Sequence, residues 1–400
     1  VSMTGGQEPV TQLDVPSLVK VLLAEGVSQV LITTDDRSRY TAIDLPAGVK
    51  VWGRDRVVEA QELLATVPGC TVLIHDQRCA AELRRDRKRG RIASPNFRVV
   101  INDRVCEGCG DCGDVSNCLS VQPVDTPFGR KTRIDQGSCN LDLSCMNGDC
   151  PSFTTVRIKP TTRTAPTPPP TNLPAAAPTT TDELTIRLTG IGGTGVVTMS
   201  QVLGTAAMLD GFFVRGLDQT GLSQKAGPVV SDLRISRNEP HASNRASAGA
   251  VDVLVAFDQL VAGADSTMRA SSGDHTTLVV NTAEVPTSTM VVHPDRPFPT
   301  DELAERLHAR TQRQVRVDAT RIVTDRLGDD SAVNVFMLGV AIQRGLVPVS
   351  VEHLERAIEL NGVAVAKNLA AFAWGRAWAA DPSAFAAADT APENDRGVAL

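Results

Sequence analysis

The sequence has few aromatic residues, no large excess of charge of either sign and no long apolar run. Aromatic residues make up 4% of the chain, with a single tyrosine, and the formal net charge is -6. A weakly acidic chain does not attract a phosphate backbone, and scarce aromatic side chains leave few platforms for base stacking. No apolar stretch approaches the roughly 20 residues that a membrane-spanning helix needs. These absences argue against a nucleic-acid or membrane partner.

The beginning of the sequence also lacks a targeting signal. Residues 1–7 contain neither a basic leader nor an apolar core, so we expect a cytoplasmic protein. The chain of 400 residues, of which 42% are apolar, is long enough to bury a core in two or three domains.

Nine cysteines are distributed very unevenly along the chain. Seven lie between Cys106 and Cys150, whereas Cys70 and Cys79 stand apart. In a chain without a leader, this clustering and the odd total favour a metal site over a full set of disulfides. We expect Cys70 and Cys79 to be small buried side chains, as free cysteines commonly are.

The first run of cysteines has the spacing of an iron–sulfur loop. Cys106, Cys109 and Cys112 recur every three residues, the spacing with which a bacterial ferredoxin loop wraps a [4Fe–4S] cube, and intervening glycines let the backbone approach the sulfides. Cys118 follows Cys112 with two more residues between them than the ordinary motif has. A zinc site usually takes two separate C-x2-C pairs, and a zinc-stabilised binding module is the alternative.

The second run of cysteines lacks the middle cysteine of a triplet, and Asp142 stands in its place. In two-cluster ferredoxins the fourth cysteine of each run crosses to the other cluster, so we predict two [4Fe–4S] clusters. The predicted ligands are Cys106, Cys109, Cys112 and Cys150 for the first cube, and Cys139, Cys145, Cys118 and the Asp142 carboxylate for the second. Alternatively, Asp142 is an ordinary surface or capping residue, and the second cluster has three irons or an external ligand at that corner.

The rest of the chain alternates folded segments with one clear linker. Residues 160–182 are rich in Pro and Thr without periodicity, which predicts a stiff, extended linker between two bodies. Helix patterns at residues 15–24 and 57–65 alternate with strand patterns at 30–33 and 71–74, as in a parallel sheet with crossover helices. Around the cysteines, strand patterns at 97–101 and 154–158 are suited to pair, and residues 121–135 to form a hairpin.

Beyond the linker, a strand pattern leads into a glycine-rich loop and a predicted helix. The loop satisfies G-x-G-x-x-G in a strand-turn-helix context, which is typical of a dinucleotide site. However, no acidic residue ends the next strand pattern to hold a ribose, and Asp218 comes three or four positions late. We favour tight strand–helix packing without a nucleotide; an NAD(P)- or flavin-dependent iron–sulfur oxidoreductase subunit is the alternative. The loop glycines are Gly190, Gly192, Gly193 and Gly195.

Taken in order, the motifs of this chain resemble the fused, single-chain indolepyruvate:ferredoxin oxidoreductase family over nearly everything outside the linker. Members of that family are 2-oxoacid:acceptor oxidoreductases. The resemblance implies that thiamine diphosphate and Mg2+ serve the decarboxylation, that electrons pass through [4Fe–4S] clusters to ferredoxin, and that coenzyme A receives the acyl group. The motifs are residues 3–7, 76–80, the cysteine runs, the glycine loop, 219–227, 281–284 and 361–365.

The resemblance implies a multidomain chain of α/β and α+β class. The Gly-Asp-Gly motif that binds Mg2+ and diphosphate does not occur, and neither does the pyrimidine-binding half. We therefore expect an N-terminally truncated C-terminal portion that relays electrons but does not oxidise a 2-oxoacid alone, with an upstream thiamine-diphosphate portion, ferredoxin and a second copy in a homodimer as partners. The expected domains are the end of a thiamine-diphosphate α/β domain (1–93), a two-cluster ferredoxin-like domain (97–159), the linker (160–182), a Rossmann-like γ-type catalytic domain (183–382) and a tail (383–400).

Overall fold

The described part of the chain divides into two compact units. The first comprises the described residues up to Asn96 together with Asn140–Asp142, and the second comprises Phe97–Cys139 and those from Leu143 onward. None of the described helices combines the length and apolarity of a membrane span. The computed structural model describes residues 13–88, 90–158, 167–179, 181–221, 227–239, 243–287, 289, 290, 293 and 296–385.

Some of the predicted features fall outside the described residues. They are the motif at residues 3–7, the first part of the linker at 160–166, residues 222–226 of the motif at 219–227, and the tail from residue 386.

A three-stranded parallel sheet forms the centre of the first unit. Its elements are α1 (Val15–Ala24), β1 (Gln29–Thr34), β2 (Lys50–Gly53), α2 (Val57–Ala65), β3 (Thr71–Asp76) and α3 (Ala80–Lys88), with 3-10 turns at Arg37–Tyr40 and Arg54–Arg56. Strand β1 lies between β2 and β3 and is parallel to both. Its Ile32 packs with Val19 of α1, and the next side chain toward the N-terminus, Leu31, packs with Ala60 of α2. The predicted helices and parallel sheet are confirmed.

Two antiparallel strand pairs frame the cysteine-rich segment of the second unit. Its elements are β4 (Phe97–Ile101), α4 (Asp111–Ser116), β5 (Val121–Thr126), β6 (Gly129–Ile134), a 3-10 turn (Ser144–Met146) and β7 (Phe153–Arg157). Strand β4 pairs with β7, and β5 pairs with β6. Both predicted pairings are confirmed.

A six-stranded sheet with helices makes up the rest of the second unit. The strand order is β13-β12-β11-β8-β10-β9; β10 runs antiparallel to both β8 and β9, and the other neighbouring strands are parallel. Its elements are β8 (Glu183–Ile191), α5 (Val196–Leu209), β9 (Phe213–Thr220), β10 (Pro228–Ser236), β11 (Val253–Ala256), α6 (Gln259–Ala262), α7 (Asp265–Ala270), β12 (Thr277–Asn281), α8 (Thr300–Ala309), β13 (Arg313–Val317), α9 (Ala319–Leu327), α10 (Val333–Gln343), α11 (Val351–Asn361) and α12 (Val365–Ala380).

This strand order corrects the prediction of a Rossmann-like domain. In a Rossmann fold the strand after the first helix lies directly beside the first strand and parallel to it. Here β10 lies between β8 and β9. The reason is that residues 221–227 between β9 and β10 are too few for a parallel crossover, which needs a dozen or more, but enough for an antiparallel turn. The prediction holds for β8, β11, β12 and β13 and is wrong for β9 and β10.

The second part of the predicted linker is packed on the second unit. The backbone N of Ala177 donates to the carbonyl of Gln343 at 3.1 Å, and the Gln343 side chain donates to the carbonyl of Pro174 at 3.1 Å. Leu173 packs against the core of this unit. The prediction of an extended spacer is therefore wrong for residues 167–179. Polyproline-type backbone makes no internal hydrogen bonds, so its carbonyls are available to side chains of neighbouring helices.

An ion pair is buried between the neighbouring strands β8 and β10. Arg187 donates from Nε and Nη2 to the two carboxylate oxygens of Asp232 at 2.7 and 2.8 Å, and the side chains are 4% and 1% exposed. The same carboxylate accepts the backbone N–H of Ala246 at 2.9 Å, and Arg187 also donates to the carbonyl of Ser266 at 3.2 Å. Each charge thus has several partners where no solvent reaches it.

Candidate iron–sulfur site and glycine loop

Cys106, Cys109, Cys112 and Cys150 all belong to the second unit. Burial raises the pKa of the Cys112 thiol, a hydrogen bond from the backbone of Gly113 lowers it, and the thiols of Cys106, Cys109 and Cys150 raise it. These four cysteines are the residues of the first predicted ligand set, and their binding of iron stays a prediction.

The loop that carries the first three of these cysteines turns tightly around them. Gly108 has a φ of +71° and Gly110 a φ of +89°, a region that side chains with a Cβ disfavour. A Cβ on Gly108 would also lie 2.4 Å from the carbonyl oxygen of Arg130. The backbone N of Gly108 donates to Sγ of Cys106 at 3.4 Å. Three thiol donors in this glycine-lined loop, with a fourth from Cys150, are the ligand type that a [4Fe–4S] cube takes.

The pairing of β4 with β7 explains how Cys150 reaches Cys106, at the other end of the cysteine-rich segment. Ile101 and Phe153 are opposite each other at the end of this pair. The next residue, Asn102, extends the contact in both directions: its N–H donates to the carbonyl of Ser152 at 2.9 Å, and its carbonyl accepts the N–H of Cys106 at 2.9 Å. One backbone position therefore connects the segments that carry the two cysteines.

Asp142, one residue of the second predicted ligand set, lies in a strained stretch of backbone. Asp142 is exposed, and it stands between two leucines in the left-handed region, Leu141 with a φ of 55° and Leu143 with a φ of 62°. Such conformations cost about 1–2 kcal/mol each and cluster at functional sites. Arg87 donates to the carbonyl of Asn140 at 2.7 Å. Three of the predicted ligands are half-buried thiols: Cys118, Cys139 and Cys145.

The positions of the described side chains do not by themselves define a metal site. Among the residues that the structure describes, no group of three or more His, Cys, Asp or Glu side chains is arranged to hold a metal ion. Of the two isolated cysteines, Cys79 is half-buried and Cys70 is exposed. The prediction of burial is wrong for Cys70, because this residue precedes β3 at the surface instead of lying within the strand.

The glycine loop connects β8 to α5, as predicted. Other residues of the same unit contact two of its glycines closely. A Cβ on Gly190 would lie 2.9 Å from Cγ2 of Val196 and 3.2 Å from Cβ of Phe257. The N–H of Gly192 donates to the carbonyl of Gly227 at 2.7 Å. Gly195 has a φ of 97° at the start of α5. Close packing therefore accounts for the glycine at position 190, and the positive φ for the glycine at position 195.

Asp218 is the acidic residue closest in sequence to the position expected to bind a ribose, but its carboxylate has another partner. Asp218 lies on β9 and accepts the hydroxyl of Ser231 on β10 at 2.6 Å. Because β10 separates β9 from β8, Asp218 is not on the strand next to the glycine loop. The geometry therefore favours the packing interpretation over the dinucleotide interpretation.

We expect the chain not to bind NADH or NADPH with a dissociation constant below about 1 mM. The reason is that Gly190 and Gly192 are engaged by neighbouring residues, and that Asp218 lies on β9, away from the loop, where it accepts the hydroxyl of Ser231. Isothermal titration calorimetry of the whole chain measures this, with a nicotinamide-dependent dehydrogenase as a positive control. Saturable binding in the micromolar range would instead restore the nicotinamide-dependent alternative.

Similarity to known proteins is found for the sequence beyond the linker. The family described as pyruvate ferredoxin/flavodoxin oxidoreductase matches residues 185–378. The indolepyruvate oxidoreductase subunit IorB of Archaeoglobus fulgidus is 29% identical over 44% of this chain and 84% of its own length. The common gamma subunit of the pyruvate/ketoisovalerate oxidoreductases of Pyrococcus furiosus is also 29% identical, over 44% of this chain and 84% of its own length.

Solved structures resemble the chain less closely. A pyruvate oxidoreductase subunit of Thermotoga maritima aligns with a TM-score of 0.37 at 22% identity, covering 49% of this chain and 97% of that chain. A TM-score of this size supports no argument. The family match at residues 185–378 begins after the last cysteine, so the cysteine-rich segment is interpreted from its own residues.

Proposed function

Because this chain belongs to the 2-oxoacid:ferredoxin oxidoreductase family through residues 185–378, we propose that it is the electron-transfer and γ-type portion of an indolepyruvate-type member. On this proposal, residues 97–159 relay electrons from the oxidation of a 2-oxoacid to ferredoxin, and residues 183–382 form the γ-type catalytic domain. The observation that carries the proposal is the backbone link through Asn102, which connects the segments that carry Cys106 and Cys150, on the same chain as the segment that the family matches.

The proposal assigns each cysteine of the cluster a ligand role. A bound [4Fe–4S] cube supplies one-electron chemistry at a potential that its surroundings set. The chain holds the cubes through thiolates, and the N–H of Gly108 donates to Sγ of Cys106, which offsets part of the negative charge on that sulfur. The ligands are Cys106, Cys109, Cys112 and Cys150 for the first cube, and Cys139, Cys145, Cys118 and Asp142 for the second.

The substrate and the remaining cofactors belong to the complete enzyme in this proposal. Thiamine diphosphate and Mg2+ are assigned to a portion outside these 400 residues, since the chain contains no Gly-Asp-Gly motif. Coenzyme A, a 2-oxoacid and a second copy of the chain complete the assembly. The name of the Archaeoglobus relative supports indolepyruvate as the substrate, and that of the Pyrococcus relative supports pyruvate or ketoisovalerate as the competing assignment.

Iron content tests the proposal. After anaerobic reconstitution with iron and sulfide, we expect a brown protein with about eight irons and about eight acid-labile sulfides per chain, as two [4Fe–4S] clusters require. The zinc-stabilised alternative predicts a colourless protein in which zinc binds in preference to iron. About four irons per chain, with Cys139→Ser leaving that content unchanged, would rule out the two-cluster assignment.

We expect changes of Asp142 to alter the oxidative stability of the second cube. A carboxylate is a harder iron ligand than a thiolate, so the parent protein should lose one iron from this cube on mild oxidation. Asp142→Cys supplies a thiolate and should make both cubes resist the same treatment, whereas Asp142→Ala should contain a three-iron cluster, or a cube with a solvent ligand, from the outset. Electron paramagnetic resonance detects the three-iron signal.

The matched control for these variants is Asp149→Ala, which removes another exposed carboxylate of the same cysteine run. This control should behave like the parent protein. If Asp142→Ala also shows the spectrum and the oxidative stability of the parent, Asp142 is not a ligand.

A further inference from the structure

A buried hydroxyl contacts one of the sulfurs assigned to the first cube. Oγ of Ser152 lies 3.1 Å from Sγ of Cys150, and Ser152 is 2% exposed. In a metal-bound cysteine the sulfur is a thiolate and carries no proton, so the serine must be the donor. The contact is then a hydrogen bond from a neutral hydroxyl to a charged sulfur, which is stronger than a bond between neutral groups.

The backbone fixes this hydroxyl in place. The carbonyl of Ser152 accepts the N–H of Asn102 at 2.9 Å, and the following residue, Phe153, begins β7 and pairs with Ile101. The carbonyl of Asn102 in turn accepts the N–H of Cys106, another ligand assigned to the same cube. The backbone of Ser152 is therefore held by the framework that connects the segments of Cys150 and Cys106, and a single buried side-chain torsion places its hydroxyl beside Cys150.

Building on the proposed iron–sulfur function, we propose that Ser152 is a positioning residue that raises the reduction potential of the first cube through its hydrogen bond to Cys150. Reduction adds negative charge to the cube and its sulfurs. A donor aimed at a ligand sulfur stabilises the reduced form more than the oxidised form, and hydrogen bonds to sulfurs are among the factors that set cluster potentials. The sequence pattern does not reveal this role, because serine two residues after a ligand cysteine has no diagnostic spacing.

The test is a redox titration of the whole reconstituted chain, followed by electron paramagnetic resonance. In Ser152→Ala, one of two transitions should move to a more negative potential, with a change of about tenfold in the ratio of reduced to oxidised cluster, which equals about 59 mV for one electron. The other transition should not move and serves as an internal reference. Ser152→Thr keeps the hydroxyl and should restore the parent value.

The matched control is Ser116→Ala. Oγ of Ser116 donates to the carbonyl of Cys112 at 2.6 Å, so this variant removes a hydroxyl beside the same ligand set without removing a bond to sulfur. Its potentials should equal those of the parent. If Ser152→Ala has full iron content and unchanged potentials, or if Ser116→Ala shifts the potential as much, the role assigned to Ser152 is wrong.

Two further measurements distinguish a failure of the proposed iron–sulfur function from a failure of the role assigned to Ser152. Iron content of the parent chain reports on the proposed function itself: a parent that binds no iron contradicts both the function and the role of Ser152, whereas full iron with unchanged potentials contradicts only the role. If Ser152→Ala does not fold, double resonance on the reduced parent chain in H2O and D2O decides. Besides the exchangeable proton of the Gly108 N–H, which donates to Sγ of Cys106, a second exchangeable proton that 15N labelling shows not to be bound to nitrogen should couple to the first cube. The absence of that second proton would overturn the inference.

Discussion

Replacing Asp232 with alanine is expected to lower the free energy of unfolding of the six-stranded sheet by about 3–5 kcal/mol. Among the described residues, the variant leaves the guanidinium of Arg187 with the carbonyl of Ser266 as its remaining hydrogen-bond acceptor, in a site where the arginine side chain is 4% exposed. A buried charge that is not paired has a large desolvation cost. In the parent protein the carboxylate of Asp232 offsets this cost with two short hydrogen bonds. The N–H of Ala246 also loses its acceptor.

A matched control exists on the same two strands. Arg234 of β10 and Glu183 of β8 form a pair at 3.0 Å in which the glutamate side chain is 56% exposed. Because solvent screens this pair, Glu183→Ala should cost less than about 1 kcal/mol. Hydrogen exchange of peptides from β8 and β10 measures both variants, since a chain of two units does not unfold in a single transition. Equal losses of protection in the two variants would contradict the expectation that the buried pair stabilises the sheet more than the exposed pair does.

Removing Cys118 or Cys150 is expected to eliminate different clusters. If the fourth cysteine of each run crosses to the other cube, Cys150→Ser removes a ligand of the cube assigned to Cys106, and Cys118→Ser removes a ligand of the cube assigned to Cys139. Each variant should fall from about eight irons per chain to about four. Iron analysis gives the loss, and the spectrum of the remaining cluster identifies which cube survived.

The control for these variants is Cys70→Ser, which changes an exposed cysteine of the first unit. This variant should retain the full iron content. Two outcomes contradict the crossed assignment: Cys118→Ser and Cys150→Ser leave spectroscopically identical clusters, or Cys118→Ser keeps all its iron.

Local signals in the sequence predicted individual elements well. A serine followed by apolar residues at helical spacing is a local signal for the start of a helix, and the hydroxyl of Ser350 accepts the N–H of His353 at 3.2 Å at the start of α11. Leu354 and Ile358, four residues apart on one face of that helix, are buried. Such predictions succeed because caps and periodicity depend on residues within one or two turns of each other.

Partners distant in the sequence were harder to predict. The apolar pattern of β9 identifies a strand but not its neighbour, so the insertion of β10 between β8 and β9 was missed. Likewise, the Pro/Thr composition of residues 167–179 shows that they form no helix or strand, but not that Gln343 binds their carbonyls. Burial of polar backbone against another element is decided by tertiary contacts that a local pattern does not contain.

The candidate site shows the same division between local and distant information. Cysteine spacing predicts a ligand set for the first cube, which stays a prediction, and the structure connects the segments of Cys106 and Cys150 through Asn102. The contacts of Asn102 and Ser152 could not be predicted from the sequence. Asn102 forms its hydrogen bonds with main-chain atoms, and the hydroxyl of Ser152 reaches Cys150 where the pairing of β4 with β7 ends. A motif defined by side-chain spacing carries no information about such contacts.

The most direct test of the central claim is electron transfer from the reduced chain to ferredoxin. The reconstituted chain is reduced anaerobically, excess reductant is removed, and oxidised ferredoxin or NAD+ is added in a stopped-flow spectrometer. The account predicts that ferredoxin reoxidises the chain, that NAD+ does not, and that a Cys106→Ser, Cys139→Ser double variant transfers no electrons. A reduced chain that is not reoxidised by ferredoxin, or that passes its electrons to NAD+, would contradict it.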